Sequence, residues 1–421
     1  MKLNWKYFIM CTITVGVVLG LFSQPSVWRF AIGPLHTNKE DTYPFRDMNA
    51  RLGMAEGIAN GIAINHEVNP YTDFAGLNNK PLYTVRAMAL LSLDRSNRVT
   101  LGLFFGALYL AWSLWLMRPS TWLEVTICLA VILSPAALLL IERANDDIII
   151  YVFILFVPLL LHGSRTKLNG MGWLIICLLT PMKYYPAAAF ALFLHRTRGI
   201  KELASYVAAT LAFAVVLGWF IRDELQLISS RIPSPSSSFA FGKQLLFSSY
   251  TENSLVINLG FYGLLALITL AAVLILLTPK SSKEVGTPKT QSFFLLGSSI
   301  LTFCFLLNSN WDYRLAFVIP TIPYTLELLR CVSKRSQCLG ALYLFGILFT
   351  AWPEYLYFWS IADLEEGRWI LNRDTYTNIL AIKHCGSWVM LSGSILISTQ
   401  ILKTDIRQLA SELPTLLRGQ K

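Results

Sequence analysis

Residues 134–154 read Ser134-Pro135-Ala136-Ala137-Leu138-Leu139-Leu140-Ile141-Glu142-Arg143-Ala144-Asn145-Asp146-Asp147-Ile148-Ile149-Ile150-Tyr151-Val152-Phe153-Ile154. Four charges and an asparagine stand between two apolar runs, with no polar loop to carry them into water. A charge beside hydrocarbon is costly, so it faces a partner or a water-filled cavity. The stretch therefore reads as two membrane segments meeting at a polar site.

The whole chain agrees with that reading. Of 421 residues 54% are apolar and 14% charged, against roughly 25% charged in a soluble domain. That leaves too little polar surface for a cytosolic enzyme, a secreted disulfide scaffold or a disordered chain. Aromatics make up 13%, as expected where rings sit at bilayer interfaces. The seven cysteines are odd in number and lie mostly in apolar runs, where Cys behaves as a small hydrophobe. Neither disulfides nor a structural metal is expected, and the scattered histidines show no ligand spacing.

Apolar runs near spanning length fall at about 7–22, 99–117, 121–141, 148–162, 203–221, 253–278, 292–308, 313–329, 339–358 and 378–400. Residues 170–195 hold two shorter runs broken by Pro181-Met182-Lys183-Tyr184-Tyr185-Pro186. They predict either two short helices meeting at a polar apex or one Pro-kinked span. Threading the runs alternately from an inside N-terminus places eighteen of the 35 Lys and Arg in inside segments, against five acids. The net charge of +10 is thereby read as the positive-inside signature, and no nucleic-acid partner is expected. The prediction is an all-α polytopic membrane protein. It has about 11–12 transmembrane segments, both termini inside, and residues 1–421 forming one integral membrane domain.

The largest polar pieces fall outside: residues 23–98 as the first periplasmic loop, 222–253 as the second and 353–378 as the third. In the first, residues 47–65 read as an amphipathic helix lying along the membrane face. Met48, Leu52, Ala55, Ile58 and Ile62 form its stripe, with Arg51 and Asn60 off it. In the second, the stretch 239–250 is expected at the interface. In the third, Glu365 and Glu366 read as a solvated face.

Two further motifs abut apolar runs: Lys183-Tyr184-Tyr185-Pro186 and Asn310-Trp311-Asp312-Tyr313-Arg314-Leu315. Threading puts both, with the 142–147 island, at outward ends. Arg143, Lys183 and Arg314 would then line one outward pocket with several carboxylates. Three cations at headgroup level suit a phosphate on a lipid tail, Arg as a fork and Lys as a point charge. Aromatic rings could stack on a sugar, and a loop carboxylate could take a proton from an acceptor hydroxyl. Those parts amount to glycosyl transfer from a lipid-phosphate sugar.

At these residues the sequence resembles the GT-C fold glycosyltransferases, most of all family 87 and its relatives, the polyprenyl-phosphate-mannose-dependent transferases. Their Glu-Arg-Gly-Asn-x-Asp is matched by Glu142 to Asp147 with Ala144 in place of Gly. Their Lys-x-Tyr-Pro is matched at Lys183 to Pro186, and their Asp-Tyr-Arg-Leu at Asp312 to Leu315. Asn69-Pro70-Tyr71 stands for a loop Asn-Pro-Tyr element, here preceded by His66-Glu67-Val68 and no Gly. The resemblance implies an inverting, metal-independent hexosyltransferase of the inner membrane. It would move a hexose, mannose by family expectation, from a polyprenyl-phosphate sugar donor to a glycan or glycolipid acceptor on the periplasmic side. Asp47 would be the base, and Arg143, Lys183 and Arg314 the donor-phosphate ligands. Glu142, Asn145, Asp147, Asn69, Tyr71, Tyr184 and Asp312 would bind sugar or acceptor. No cofactor is implied.

Blander readings stand beside each role. Asp47 would cap its helix, with Asp41 and Asp73 as rival loop acids. Arg143 would pair with Glu142, Asp146 or Asp147; Lys183 would snorkel; Arg314 would pair with Asp312. At the level of function the rivals are a lipid or solute transporter or flippase, and an O-antigen-type polymerase or ligase.

Overall fold

In lipid every backbone polar group must find its partner within the protein, so the apolar runs form helices. A computed structural model describes residues 4–24, 44–64, 67–72, 83–161, 166–196, 199–229, 239–243, 245–248, 250–251, 253–278, 285–307, 310–360, 363–365, 368–370 and 372–417. The rival acids Asp41 and Asp73, and Glu366, lie outside the described residues.

The chain opens with α1 (Trp5–Ser23), then α2 (Arg46–Ala59), α3 (Tyr83–Leu90) and α4 (Arg98–Leu116). Helices α5 (Trp122–Ile132) and α6 (Pro135–Arg143) form a pair bent by 43°. The bend falls where Ser134 caps α6 and Pro135 occupies its first turn, a position that lacks a hydrogen-bond partner for N–H in any case. The island 142–147 is the corner into α7 (Asp146–Ile154), followed by α8 (Phe156–Leu161) and α9 (Thr166–Leu179). A 3-10 segment (Tyr185–Ala191) runs into α10 (Leu192–Arg196) and then α11 (Ile200–Ser229).

After β1 (Ala240–Phe241) come α12 (Leu245–Ser248), α13 (Ser254–Leu277) and α14 (Pro288–Leu307). Next are β2 (Asn310–Trp311), a second 3-10 segment (Asp312–Thr321) and α15 (Ile322–Arg330). Helices α16 (Lys334–Ala351) and α17 (Pro353–Ser360) form another pair bent by 43°. A small hairpin of β3 (Asp363–Glu365) and β4 (Arg368–Ile370) precedes α18 (Arg373–Leu417). Helices α16 and α18 pack face to face because Gly346 and Gly386 present bare backbone: a methyl at either would overlap the other helix's main chain.

This is an all-α polytopic membrane protein. Among the described residues six helices are long and apolar enough to cross a membrane, or eight with each bent pair taken as one span. The expected 11–12 segments included shorter ones: the runs 148–162 and 313–329 fold as short helices set end to end, each below the length of a single continuous span. Residues 170–195 fold as a hairpin, not a kinked span. The rings of Trp173 and Phe190 stand 6.4 Å apart, whereas a continuous helix would separate them by about 25 Å.

The amphipathic helix is shorter and deeper than its pattern suggests. It ends at Ala59 because Gly61 adopts φ +80, with Gly61 N–H on Ile58 O and Ile62 N–H on Gly57 O, a Schellman close. Rather than burying one stripe, α2 is buried almost all round, Arg51 included. Gly53 and Gly57 let the turn 69–72 press on one side. The stretch expected at the interface begins inside the protein, where Ala240 and Phe241 are fully buried and pair with Asn310 and Trp311, and reaches the surface at Tyr250.

Candidate active site

Helix α2 brings Asp47 to the 142–147 corner. Asp47 does not cap the helix; that position belongs to Phe45, in the left-handed region at φ 69. The Asp47 side chain lies in the first turn and accepts from Arg143 Nη1 at 3.1 Å and from Asn145 Nδ2 at 3.1 Å. Asn145 does two things at once. Its Oδ1 accepts from the Asp147 N–H at 2.8 Å, capping α7, while its Nδ2 holds Asp47. Ala144 makes the corner at φ 44, a conformation that glycine adopts without steric cost.

Asp147 is the second focus. Its carboxylate, fully buried, accepts from Lys183 Nζ, from Tyr185 Oη at 2.7 Å and from Arg314 Nε at 3.3 Å. Lys183 comes from the apex of the 170–195 hairpin and also lies over the Tyr313 ring, 5.7 Å from its centroid. Arg314 divides its guanidinium between Asp147 and Asn310. Residues 36 and 167 positions apart from Asp147 thus meet on one carboxylate. Arg143 further lies 3.5 Å from the buried carboxylate of Glu142.

The exposures are ordered. Glu142 and Asp147 side chains are 0% exposed, whereas Arg143 keeps 15%, Lys183 12%, Arg314 20% and Asp47 14%. The acids that orient the cations are sealed, while the cations and Asp47 stay part-exposed.

Seven of the sequence-chosen residues therefore come together: Asp47, Glu142, Arg143, Asn145, Asp147, Lys183 and Arg314. Asn69, Tyr71 and Asp312 have other partners. Asn69 donates to Gly53 O at 2.9 Å and accepts from the Tyr71 N–H, and the Tyr71 ring packs on Arg95 at 5.5 Å. Both brace α2. Tyr185, not Tyr184, reaches Asp147.

Asp312 faces away into a buried triad. Lys383 Nζ donates to Asp312 Oδ2 and to Glu354 Oε2, both at 2.6 Å, with all three side chains at most 1% exposed. Glu354 also accepts from the Phe239 N–H at 3.0 Å and from the Tyr376 hydroxyl. Arg314 therefore pairs with Asp147, not with Asp312. A second buried pair, Arg51 with Asp146, joins α2 to α7 from behind the site. The sequence reading missed Lys383, Glu354 and Arg51. A lysine inside the run 378–400 was the available signal, since a charge at membrane depth needs a partner. Among the described residues no three His, Cys, Asp or Glu side chains are grouped to hold a metal ion.

No protein-family model matches the chain, and no curated protein matches it in sequence. One solved structure overlaps it: that of ArnT from Cupriavidus metallidurans in the apo state. The TM-score is 0.38 and the identity 11%, over 97% of this chain and 80% of that one. At that TM-score the likeness decides nothing about this chain.

Proposed function

We propose that the chain is a membrane glycosyltransferase of the GT-C kind. It takes a sugar, a hexose and by the motif resemblance mannose, from a polyprenyl-phosphate donor. The acceptor is a glycan or glycolipid on the periplasmic side. The observation that carries the reading is the ordered exposure: three cations left accessible over sealed carboxylates, beside one accessible acid.

In this reading Asp47 takes the proton of an acceptor hydroxyl while that oxygen bonds to the anomeric carbon of the sugar. The bond from that carbon to the phosphate oxygen breaks, and its electron pair leaves with the polyprenyl phosphate. Arg143, Lys183 and Arg314 neutralise the departing charge, which is the larger catalytic contribution. Attack opposite the leaving group inverts the anomeric centre. Asn145 orients Asp47, and Asp147 holds Lys183 and Arg314 in register, so the motif residues act as one assembly.

The test is a membrane assay with a labelled polyprenyl-phosphate hexose. Wild-type membranes should consume the donor, and Asp47→Ala should abolish turnover while the protein still accumulates in the membrane. Lys183→Met and Arg314→Met should each lower turnover about 100- to 1000-fold. Undiminished turnover by Asp47→Ala removes the assigned base. Counterflow of labelled lipid in vesicles without bond cleavage would replace the enzyme with a transporter.

A further inference from the structure

A cavity of about 380 Å³ lies between α13, α16 and α18, far from the candidate active site. Its walls are apolar, among them Leu274, Ile275, Leu339, Leu342 and Leu396, and its polar lining is confined to Thr278, Arg335 and Cys338. The same end is strongly basic. Lys403 Nζ donates to Thr278 Oγ1 at 2.8 Å, and Arg407 Nη2 donates to the carbonyls of Leu276 and Thr278 at 2.6 Å each. Arg335 and Arg407 both lie within electrostatic range of Lys403. The nearest acids along α18 are turned elsewhere: Asp405 holds His195 at 2.8 Å, and Glu412 accepts from the Ile200 N–H at 2.9 Å. Among the described residues no carboxylate lines the cavity.

Helix geometry fixes the level of this cluster. Lys383 and Lys403 are twenty residues apart on one helix, about 30 Å, the thickness of a hydrocarbon core. Arg335 and Glu354 are separated almost as far along the α16–α17 pair. The basic end therefore sits at the membrane face opposite the Asp312–Lys383–Glu354 triad.

We propose that this groove is a binding site for an anionic phospholipid of that opposite leaflet. Its phosphate lies among Arg335, Lys403 and Arg407 near Thr278, and one acyl chain fills the leucine-lined cavity. Charge complementarity selects the occupant. An apolar slot alone would accept any lipid tail, but three cations, with no carboxylate lining the cavity among the described residues, favour an anionic headgroup over a zwitterionic one, by about fivefold per cation. The proposal does not depend on the reaction assigned above.

Two measurements on the detergent-purified full chain test it. In native mass spectrometry with equal phosphatidylglycerol and phosphatidylcholine of matched chains, the anionic lipid should be retained at least tenfold better. The double variant Arg335→Gln/Lys403→Gln should lose most of that preference. Equal retention of the two lipids by wild type, or an unchanged preference in the double variant, overturns the proposal. The second measurement needs no variant. Cys338 lines the groove and is exposed, and Cys385, also exposed, stands near the other end of α18. Phosphatidylglycerol should slow maleimide labelling of Cys338 several-fold and leave Cys385 unchanged; equal slowing at both, or at neither, overturns it. Inorganic phosphate at millimolar concentration should not protect Cys338. Protection by phosphate alone would make the site one for a free anion instead of a lipid.

Discussion

Replacing Lys383 by Met should be among the most damaging single changes available outside the candidate site. Its Nζ is 2.6 Å from Asp312 Oδ2 and 2.6 Å from Glu354 Oε2, so those two oxygens are no more than about 5.2 Å apart. Without the ammonium, two buried carboxylates face each other across that gap. At an effective dielectric of about 20 their repulsion is about 3 kcal/mol, and removing one partner of a buried pair typically costs about 3–5 kcal/mol. The two figures agree on a large loss. Its consequences are local as well as global, because Asp312 and Glu354 fasten the second 3-10 segment, α17 and the backbone at Phe239 to α18. Thermal unfolding of detergent-purified protein, followed by the loss of its monodisperse chromatographic peak, should show Lys383→Met melting several degrees below wild type. The triple variant Lys383→Met/Asp312→Asn/Glu354→Gln removes all three charges at nearly constant volume and should recover most of that loss, since such replacements of a buried ionic group are often neutral. If Lys383→Met melts with wild type, or if the triple variant is the worse of the two, the triad does not hold the fold in the way described.

Two other predictions concern the supports of the 142–147 corner. Arg51→Met strands Asp146 without its buried partner and should cost about 3–5 kcal/mol. Arg51→Met/Asp146→Asn should lose much less, so a double-mutant cycle read by thermal unfolding must return strong coupling; additive losses would mean the two side chains do not depend on each other. At Ala144, φ 44 costs an alanine about 1–2 kcal/mol. Glycine would remove that strain but lose a buried methyl worth about 0.8 kcal/mol and about 0.5–1 kcal/mol of chain entropy. Ala144→Gly should therefore melt within about 1 kcal/mol of wild type. The β-branched Ala144→Val should lose more than about 2 kcal/mol, and a tolerated valine would contradict the left-handed corner.

The charged islands were legible because hydrocarbon makes every polar residue conspicuous, and three of them proved to meet. What could not be read was which partner each charge takes. Arg314 lies two residues from Asp312 yet pairs with Asp147, 167 positions away; proximity along the chain suggested the wrong acid. Lys383 was averaged away inside an apolar run whose mean hydropathy one lysine barely alters. Arg51 lies off the stripe of Met48, Leu52 and Ala55, and so reads as solvent-facing on a one-sided helix. The structure buries both sides of α2, and a buried partner then makes the charge tolerable. The form of the shorter segments was hidden for a related reason. A run such as 313–329 has the hydropathy of one α-helix, yet its start tightens into a 3-10 segment where Asp312 meets Lys383 and Arg314 meets Asp147.

Those constraints bear on how the site is held. Three of the four non-glycine residues with positive φ among the described residues adjoin site segments: Phe45 before Asp47, Ala144 within the corner, and Phe239 against Asp312 and Glu354. Each left-handed residue costs about 1–2 kcal/mol, and such strain persists only where surrounding packing over-determines it. For Phe45 the packing can be named. Its ring is fully buried, stands 5.6 Å from the Phe22 ring, and occupies the space that a side chain at Gly102 on α4 would fill. Gly102→Ala adds one methyl to a helix interior, where alanine is intrinsically preferred by about 1 kcal/mol. On propensity alone the variant should be more stable. Here the methyl would collide with the Phe45 ring, so overpacking of about 1–3 kcal/mol should outweigh the gain. Displacing Phe45 shifts Asp47 two residues on, away from Arg143 and Asn145, and a misplacement of about 1 Å can lower turnover about 100-fold. Gly102→Ala should therefore reduce donor consumption far more than protein level, although position 102 touches none of the reacting groups. Wild-type turnover in that variant would show that α4 does not set the position of the proposed base.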